Sequence, residues 1–251
     1  MKVINKYHSA SLLEVIYLSP SQPRLDFEDA KFSLYFLAFD SPKAESAGNH
    51  WTDRESVLEL THNHGTENNP DYKVASGNSD PGRGFGHICF SVDNLEAACS
   101  RLESNSVRFQ KKLSDGMMRD IAFVLDPDGY WVEIIGQADS DPEAKVTDLE
   151  TYRFNHTMIR VKNVEKSLYF YRCILGMSLL RTMEIPDSGF NLYFLGYRRQ
   201  GESGEVTREQ LAGREGVSEL PAAHRRVELT FVVGRIDLEL RHRDRSQLCL
   251  P

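Results

Sequence analysis

The chain has 251 residues, 40% of them hydrophobic and 27% charged, and a formal net charge of −7. That length supports one large domain or two small ones with a sizeable core. The acidic balance argues against nucleic acid or an anionic membrane as partner, since both need a concentrated basic surface, and no apolar run reaches the roughly 18 residues of a membrane span.

Near the start, ASLLEVIYLS (Ala10–Ser19) follows Lys2 and Lys6, but Glu14 interrupts it and no small-residue cleavage site follows. A secretory leader is therefore not expected. Next come short segments rich in β-branched and aromatic residues: KFSLYFLAF from Lys31, VLELT, HICFSV, VRFQKK, IAFVLD and YWVEII. Bounded by Gly, Pro, Asp and Asn, they read as strands. Phe32, Tyr35 and Phe36 are placed in the core. Asn94 caps a helix running to Ser104, with Leu95, Ala98 and Leu102 on one face. The stretch 139–151 is polar and broken by proline, and reads as a linker. Glu165–Ile174 reads as a further helix, ended by Gly176. Phe190, Tyr193 and Phe194 are again core. Cys89, Cys99, Cys173 and Cys249 form no CxxC pair, which fits a reducing cytoplasm without a disulfide framework.

The chain repeats itself. KFSLYFLAF (Lys31–Phe39) returns as GFNLYFLGY (Gly189–Tyr197) at an offset of 158, and SVLEL (Ser56–Leu60) returns as GVSEL (Gly216–Leu220) at 160. Projected back by that spacing, His156 falls before Met1, and Glu133 projected forward falls beyond Pro251. The first copy is thus expected to lack its opening strand and helix, and the second its closing half. The expected division is an unmatched segment 1–25, a first repeat 26–137, a linker 138–153, the front half of a second repeat 154–221, and an unmatched tail 222–251. Strands alternating with single helices give an α+β fold.

Four ionisable residues lie mid-strand: Glu59, His87, Glu133 and His156, with Glu219 the repeat partner of Glu59. Alternation puts Glu133 on a face with Trp131 and Ile135. A carboxylate there is buried against a partner, metal-bound, or tuned for proton transfer. Taken singly, each is as well explained as a solvated or hydrogen-bonded structural group. Two His and two Glu from one architecture form an N₂O₂ set suited to a divalent transition metal with open positions.

LELTHNHGTENNPDY, GNSDPGRGFGHICFSV, DPDGYWVEI and FNHTMIRVKN closely resemble the motifs of glyoxalase I (lactoylglutathione lyase), most of all its tandem two-repeat fungal form. The resemblance runs from about Phe27 to Leu220. It implies paired βαβββ modules of the vicinal-oxygen-chelate fold, here an incomplete tandem repeat, with zinc (nickel or another divalent metal as substitutes) bound by His87, Glu133, His156 and Glu219. Glu59 and Asn63 would be the remnant of a second site. The implied reaction isomerises the hemithioacetal of methylglyoxal and glutathione to S-D-lactoylglutathione, with Glu133 as base and Glu219 its counterpart. Arg83, Lys111 and Arg160 would take glutathione's carboxylates, and Met118 and Phe123 would line the substrate. Ala223 stands where the surviving site should have the counterpart of Asn63, and Pro221 removes a strand donor after Glu219. An inactive remnant that binds only metal or glutathione is the rival reading. An iron dioxygenase of the same superfamily needs two His and one carboxylate, and the second glutamate speaks against it. The family form is monomeric and cytoplasmic; lost modules would expose edges and favour oligomers.

Overall fold

The computed structural model describes residues 24–39, 42, 47–54, 56–116, 118–137, 144–185, 190–197 and 228–233. It divides into two compact units. One takes in the described residues up to Ala75 together with Cys89–Phe154; the other takes Ser76–Ile88 with the described residues from Asn155 onward.

In the first unit, β1 (Arg24–Phe27), β2 (Phe32–Leu37) and β3 (Leu58–Asn63) form an antiparallel sheet in that order. Strand β4 (Phe85–Val92), whose first residues belong to the second unit, leads into helix α1 (Leu95–Ser104). Then come β5 (Phe109–Lys111), β6 (Ile121–Leu125) and β7 (Trp131–Gly136), giving the order β5-β6-β7-β4. Asn94 caps α1, its side chain accepting from the Ala97 amide at 2.8 Å. That leaves Leu95, Ala97, Ala98, Cys99 and Leu102 on one buried stripe, the pattern of a helix lying on a sheet. Cys89, Val92, Ala122, Val124 and Ile134 are buried in the same unit.

In the second unit, β8 (Arg153–Val161) leads into α2 (Val164–Tyr169), which continues as a π-helical turn through Ile174. Strands β9 (Ser178–Ile185), β10 (Phe190–Gly196) and β11 (Glu228–Val233) complete the order β8-β11-β10-β9, with β11 parallel to β8 and antiparallel to β10. Asn163 caps α2 as Asn94 caps α1. Val164, Leu168, Met177 and Leu195 form the buried cluster.

The two units thus repeat one topology: strand, helix, then three strands, with the last strand beside the first. This is the expected α+β architecture of βαβββ modules. The unit of repetition is finer than the spacing of 158 implies. FGHICFSVDN (Phe85–Asn94) and FNHTMIRVKN (Phe154–Asn163) align at an offset of 69, matching His87 with His156 and cap with cap. The complete modules are β4–β7 and β8–β11, and β1–β3 form a separate three-stranded sheet within the first unit.

Three expectations need correction. Residues 228–233, set within an unmatched tail, form β11 and close the second module. Of the six aromatics assigned to the core, only Phe36 is fully buried; Phe32, Tyr35, Phe190, Tyr193 and Phe194 are partly covered. Each keeps part of its ring accessible on a strand with no exposed residue, and Tyr193 still packs against the buried cluster. Cys173 is disulfide-bonded, while Cys89 and Cys99 are buried thiols outside any disulfide; scattered spacing cannot reveal a bridge made by the fold.

Candidate metal centre

His87 sits in β4 and His156 in β8, 7% and 6% exposed. Their Nε2 atoms are 3.3 Å apart and their rings meet edge to face, with centroids 5.5 Å apart. His156 Nδ1 lies 2.8 Å from Asn155 Oδ1. An amide oxygen only accepts, so Nδ1 carries the proton and the Nε2 lone pair faces His87. Two imidazole nitrogens pointed at one spot, one fixed by an outer oxygen, is the arrangement of metal-binding histidines. The residues therefore fit a divalent cation. Phe194 of β10 packs edge to face on His156, the ring centroids 6.1 Å apart.

Close packing keeps β4 and β8 in place. A Cβ on Gly86 would lie 2.2 Å from Met158 Cε and 3.0 Å from the Met158 carbonyl oxygen, so only glycine fits beside His87 without a shift.

Within the first unit, Glu133 is 8% exposed in the middle of β7. It stands in register with Phe123 of β6, which stands in register with Lys111 of β5. The ring of Phe123 meets Trp131 at 5.5 Å. Three residues expected to act together thus occupy one row across three strands. Lys111 is turned inward on its own loop: Nζ donates to the carbonyls of Met118 (2.6 Å), Ile121 (2.9 Å) and Lys112 (3.3 Å). Those bonds use all three ammonium protons. Met118, in that loop, is 54% exposed.

Arg160 of β8 is half-buried. Nη1 donates to the carbonyls of Gly77 (3.2 Å) and Phe85 (2.9 Å), and Nη2 to Asn78 Oδ1 at 2.9 Å. Burial, and secondarily the charge of Arg83, lowers its pKa from the ordinary value. Arg83 is itself exposed and 3.4 Å from Asp80.

Glu59 and Asn63 are exposed on β3, opposite Phe36 and Phe32. Among the described residues β3 is bonded only to β2, whereas β11 lies between β10 and β8. The remnant glutamate therefore has no histidine-bearing strand beside it among those residues. Glu219 lies outside the described residues.

Three polar residues escaped the sequence reading. Asn155 and Asn78 carry no motif of their own and were found only by their hydrogen bonds. Glu228 had a signal: VELT (Val227–Thr230) repeats LELT (Leu58–Thr61) and the VEI of Val132–Ile134. It stands in register with His156.

The sequence model of the Glyoxalase/Bleomycin resistance protein/Dioxygenase superfamily matches residues 28–134 and 153–233. The chain is 54% identical over 177 residues to glyoxalase I of Saccharomyces cerevisiae, covering 69% of this chain and 54% of that protein. It is 51% identical over 171 residues to the lactoylglutathione lyase of Schizosaccharomyces pombe, covering 68% and 55%. The chain thus spans about half the length of these relatives. Glyoxalase I from Zea mays superposes with a TM-score of 0.52 at 24% identity, covering 85% of this chain and 59% of that one. That likeness bears on the fold alone.

Proposed function

We propose that this chain, which belongs to the Glyoxalase/Bleomycin resistance protein/Dioxygenase superfamily, carries a lactoylglutathione lyase centre acting on the methylglyoxal–glutathione hemithioacetal. The observation that carries the reading is the buried pair of facing imidazole nitrogens, His87 and His156. Its support from relatives is the identity to two proteins named for that activity.

In this reading His87, Glu133 and His156 hold one divalent metal, with a second glutamate as fourth ligand. Each module then gives a histidine from its first strand and a glutamate from its last: His87 with Glu133, and His156 with Glu228. Glu219, the choice made by the longer repeat, is the competitor for that last place. Zinc is the expected ion, with nickel or another divalent metal acceptable to the same donors, and the cytoplasm is the expected compartment.

When bound, the metal stabilises negative charge developing on the substrate oxygens. The chain's own residues move the proton. Glu133, dry and mid-strand, takes it from the carbon bonded to sulfur; the second glutamate, entering protonated, gives a proton to the neighbouring carbon, and the proton left on Glu133 passes to it through solvent once product leaves. Phe123 and Met118 give an apolar wall, and burial keeps water from the carbanionic stage. Arg160 and Arg83 recognise glutathione's carboxylates. Lys111 joins them by exchanging its 3.3 Å bond to the Lys112 carbonyl for a ligand oxygen.

The test is thioester formation from methylglyoxal and glutathione, by the full chain, with zinc and with a chelator. Glu133→Gln should lower turnover by about 10³-fold while the protein stays folded. No turnover from folded, zinc-loaded wild type would leave an inactive remnant, and the reading would fall.

A further inference from the structure

We propose that Asn78 is a positioning residue, one that acts on an anionic ligand through Arg160 and not by touching the ligand. The inference rests on the reading of Arg160 as a carboxylate-binding residue. An unheld guanidinium ordinarily samples many rotamers, and holding it still removes an entropic cost from each binding event. Here it is held on three sides by one short segment. Gly77 and Phe85 supply carbonyls to Nη1, and Asn78 Oδ1 takes Nη2.

Asn78 is the only side chain among those three acceptors, so its contribution can be removed without moving backbone. Its other end is also committed, because Asn78 Nδ2 donates to the Gly86 carbonyl. Gly86 directly precedes His87. One amide therefore ties the guanidinium to the strand that carries a metal-binding imidazole, and fixes the distance between the two recognition points. Gly77 makes the segment possible: its φ is +81°, and a Cβ there would lie 2.4 Å from the Phe85 carbonyl oxygen. The Gly84 amide closes the loop onto the Gly77 carbonyl at 3.0 Å, and the Arg160 amide donates to the Gly84 carbonyl at 2.8 Å. The turn thereby presents two carbonyls and the Asn78 side chain to Arg160.

Neutral acceptors suit this role. They orient the cation without neutralising it, so its charge stays available to a carboxylate. A carboxylate at position 78 would still accept from the guanidinium, but it would consume the charge and lose the donor that Asn78 gives the Gly86 carbonyl. This predicts an order among variants that simple loss of packing does not.

The experiment is a double-mutant cycle on the zinc-loaded full chain, using Asn78→Ala, Asn78→Asp, Arg160→Ala and the pair Asn78→Ala/Arg160→Ala. Initial rates give KM and kcat for the hemithioacetal, and calorimetry gives affinity for S-methylglutathione without turnover. Asn78→Ala should raise KM about tenfold with kcat within about twofold and zinc content unchanged, and Asn78→Asp should raise it further. In the Arg160→Ala background the same Asn78→Ala change should cost less than about twofold, because the group it orients is gone. Additive losses would show that Asn78 meets the ligand directly and would overturn the inference. So would an unchanged KM in both Asn78 variants, or an equal fall in kcat. Wild type that binds S-methylglutathione without turnover would sink the lyase reading alone, and the calorimetric cycle would still decide this one. Wild type that neither binds nor turns over would overturn both.

Discussion

His87 and His156 occupy the same place in two successive strand–helix units, and their Nε2 atoms stand 3.3 Å apart. Local duplication explains the pairing. Each histidine is the third residue of a Phe-x-His opening whose strand runs into an Asn-capped helix. Gly86 leaves room for Met158 beside it, and the two rings meet edge to face. Repetition of one strand–helix opening thus brings two imidazoles together.

Asn155 fixes the His156 tautomer through its 2.8 Å contact to Nδ1. Replacing it with alanine removes the partner that keeps the Nε2 lone pair inward. Asn155→Ala should weaken zinc binding by about 10- to 100-fold, read by competition with a chromophoric chelator. The loss should be smaller in Asn155→Asp, which restores an acceptor at the same distance. Equal zinc affinity in wild type and Asn155→Ala would remove Asn155 from the site.

Gly77 gives a stability prediction independent of any ligand. Its left-handed φ of +81° and the 2.4 Å clash of a Cβ with backbone leave no room for a side chain. Gly77→Ala should lower the unfolding free energy by about 2 kcal/mol, seen as a lower denaturant midpoint. Gly48→Ala is a useful control, because its φ is similar at +78° but nothing lies within 4 Å. It should cost less than Gly77→Ala by whatever the clash contributes.

Tyr152 makes an alkaline prediction. It is 6% exposed, and burial pushes its hydroxyl up to about 12, with only partial offset from Thr147 Oγ1 at 2.9 Å. In the unfolded chain it titrates near 10. Between those values the unfolded state has lost the proton and the native state keeps it, so stability falls as pH rises through that window. The loss from this group is on the order of 2 kcal/mol at its upper end. Tyr152→Phe should flatten that part of the stability curve relative to wild type, as measured by urea midpoints from pH 9 to 12. Parallel curves for the two proteins would mean that Tyr152 titrates normally.

Much of the fold was legible because strand alternation and helix caps are local. The segments read around β2, β3, β4, β6 and β7, and the Asn94-capped helix ending at Ser104, match the structure closely. Strand β9 was not read, since Arg181 and Glu184 interrupt its apolar run. His87, Glu133 and His156 were legible because a charged residue flanked by apolar neighbours in a strand demands an explanation. What could not be read was tertiary. Nothing in the sequence shows that Lys111 spends its ammonium on three carbonyls, or that Cys173 finds a partner. The repeat also exists at two scales. An offset of 160 aligns SVLEL with GVSEL, while the finer module ends on VELT.

Glu228 and Glu219 can be separated directly. Register places Glu228 beside His156 in the parallel β8–β11 pair. Phe194 of β10, whose ring contacts His156, pairs with Thr230. If the final strand of each module supplies a carboxylate, Glu228→Gln should cut turnover by about 10²-fold or more and lower zinc affinity. Glu219→Gln should then leave both within about twofold. The opposite pattern would return the role to Glu219 and make β11 a purely structural strand. If both variants retain full turnover and zinc affinity, the centre works with His87, His156 and Glu133 alone, and the return of the proton must also fall to Glu133.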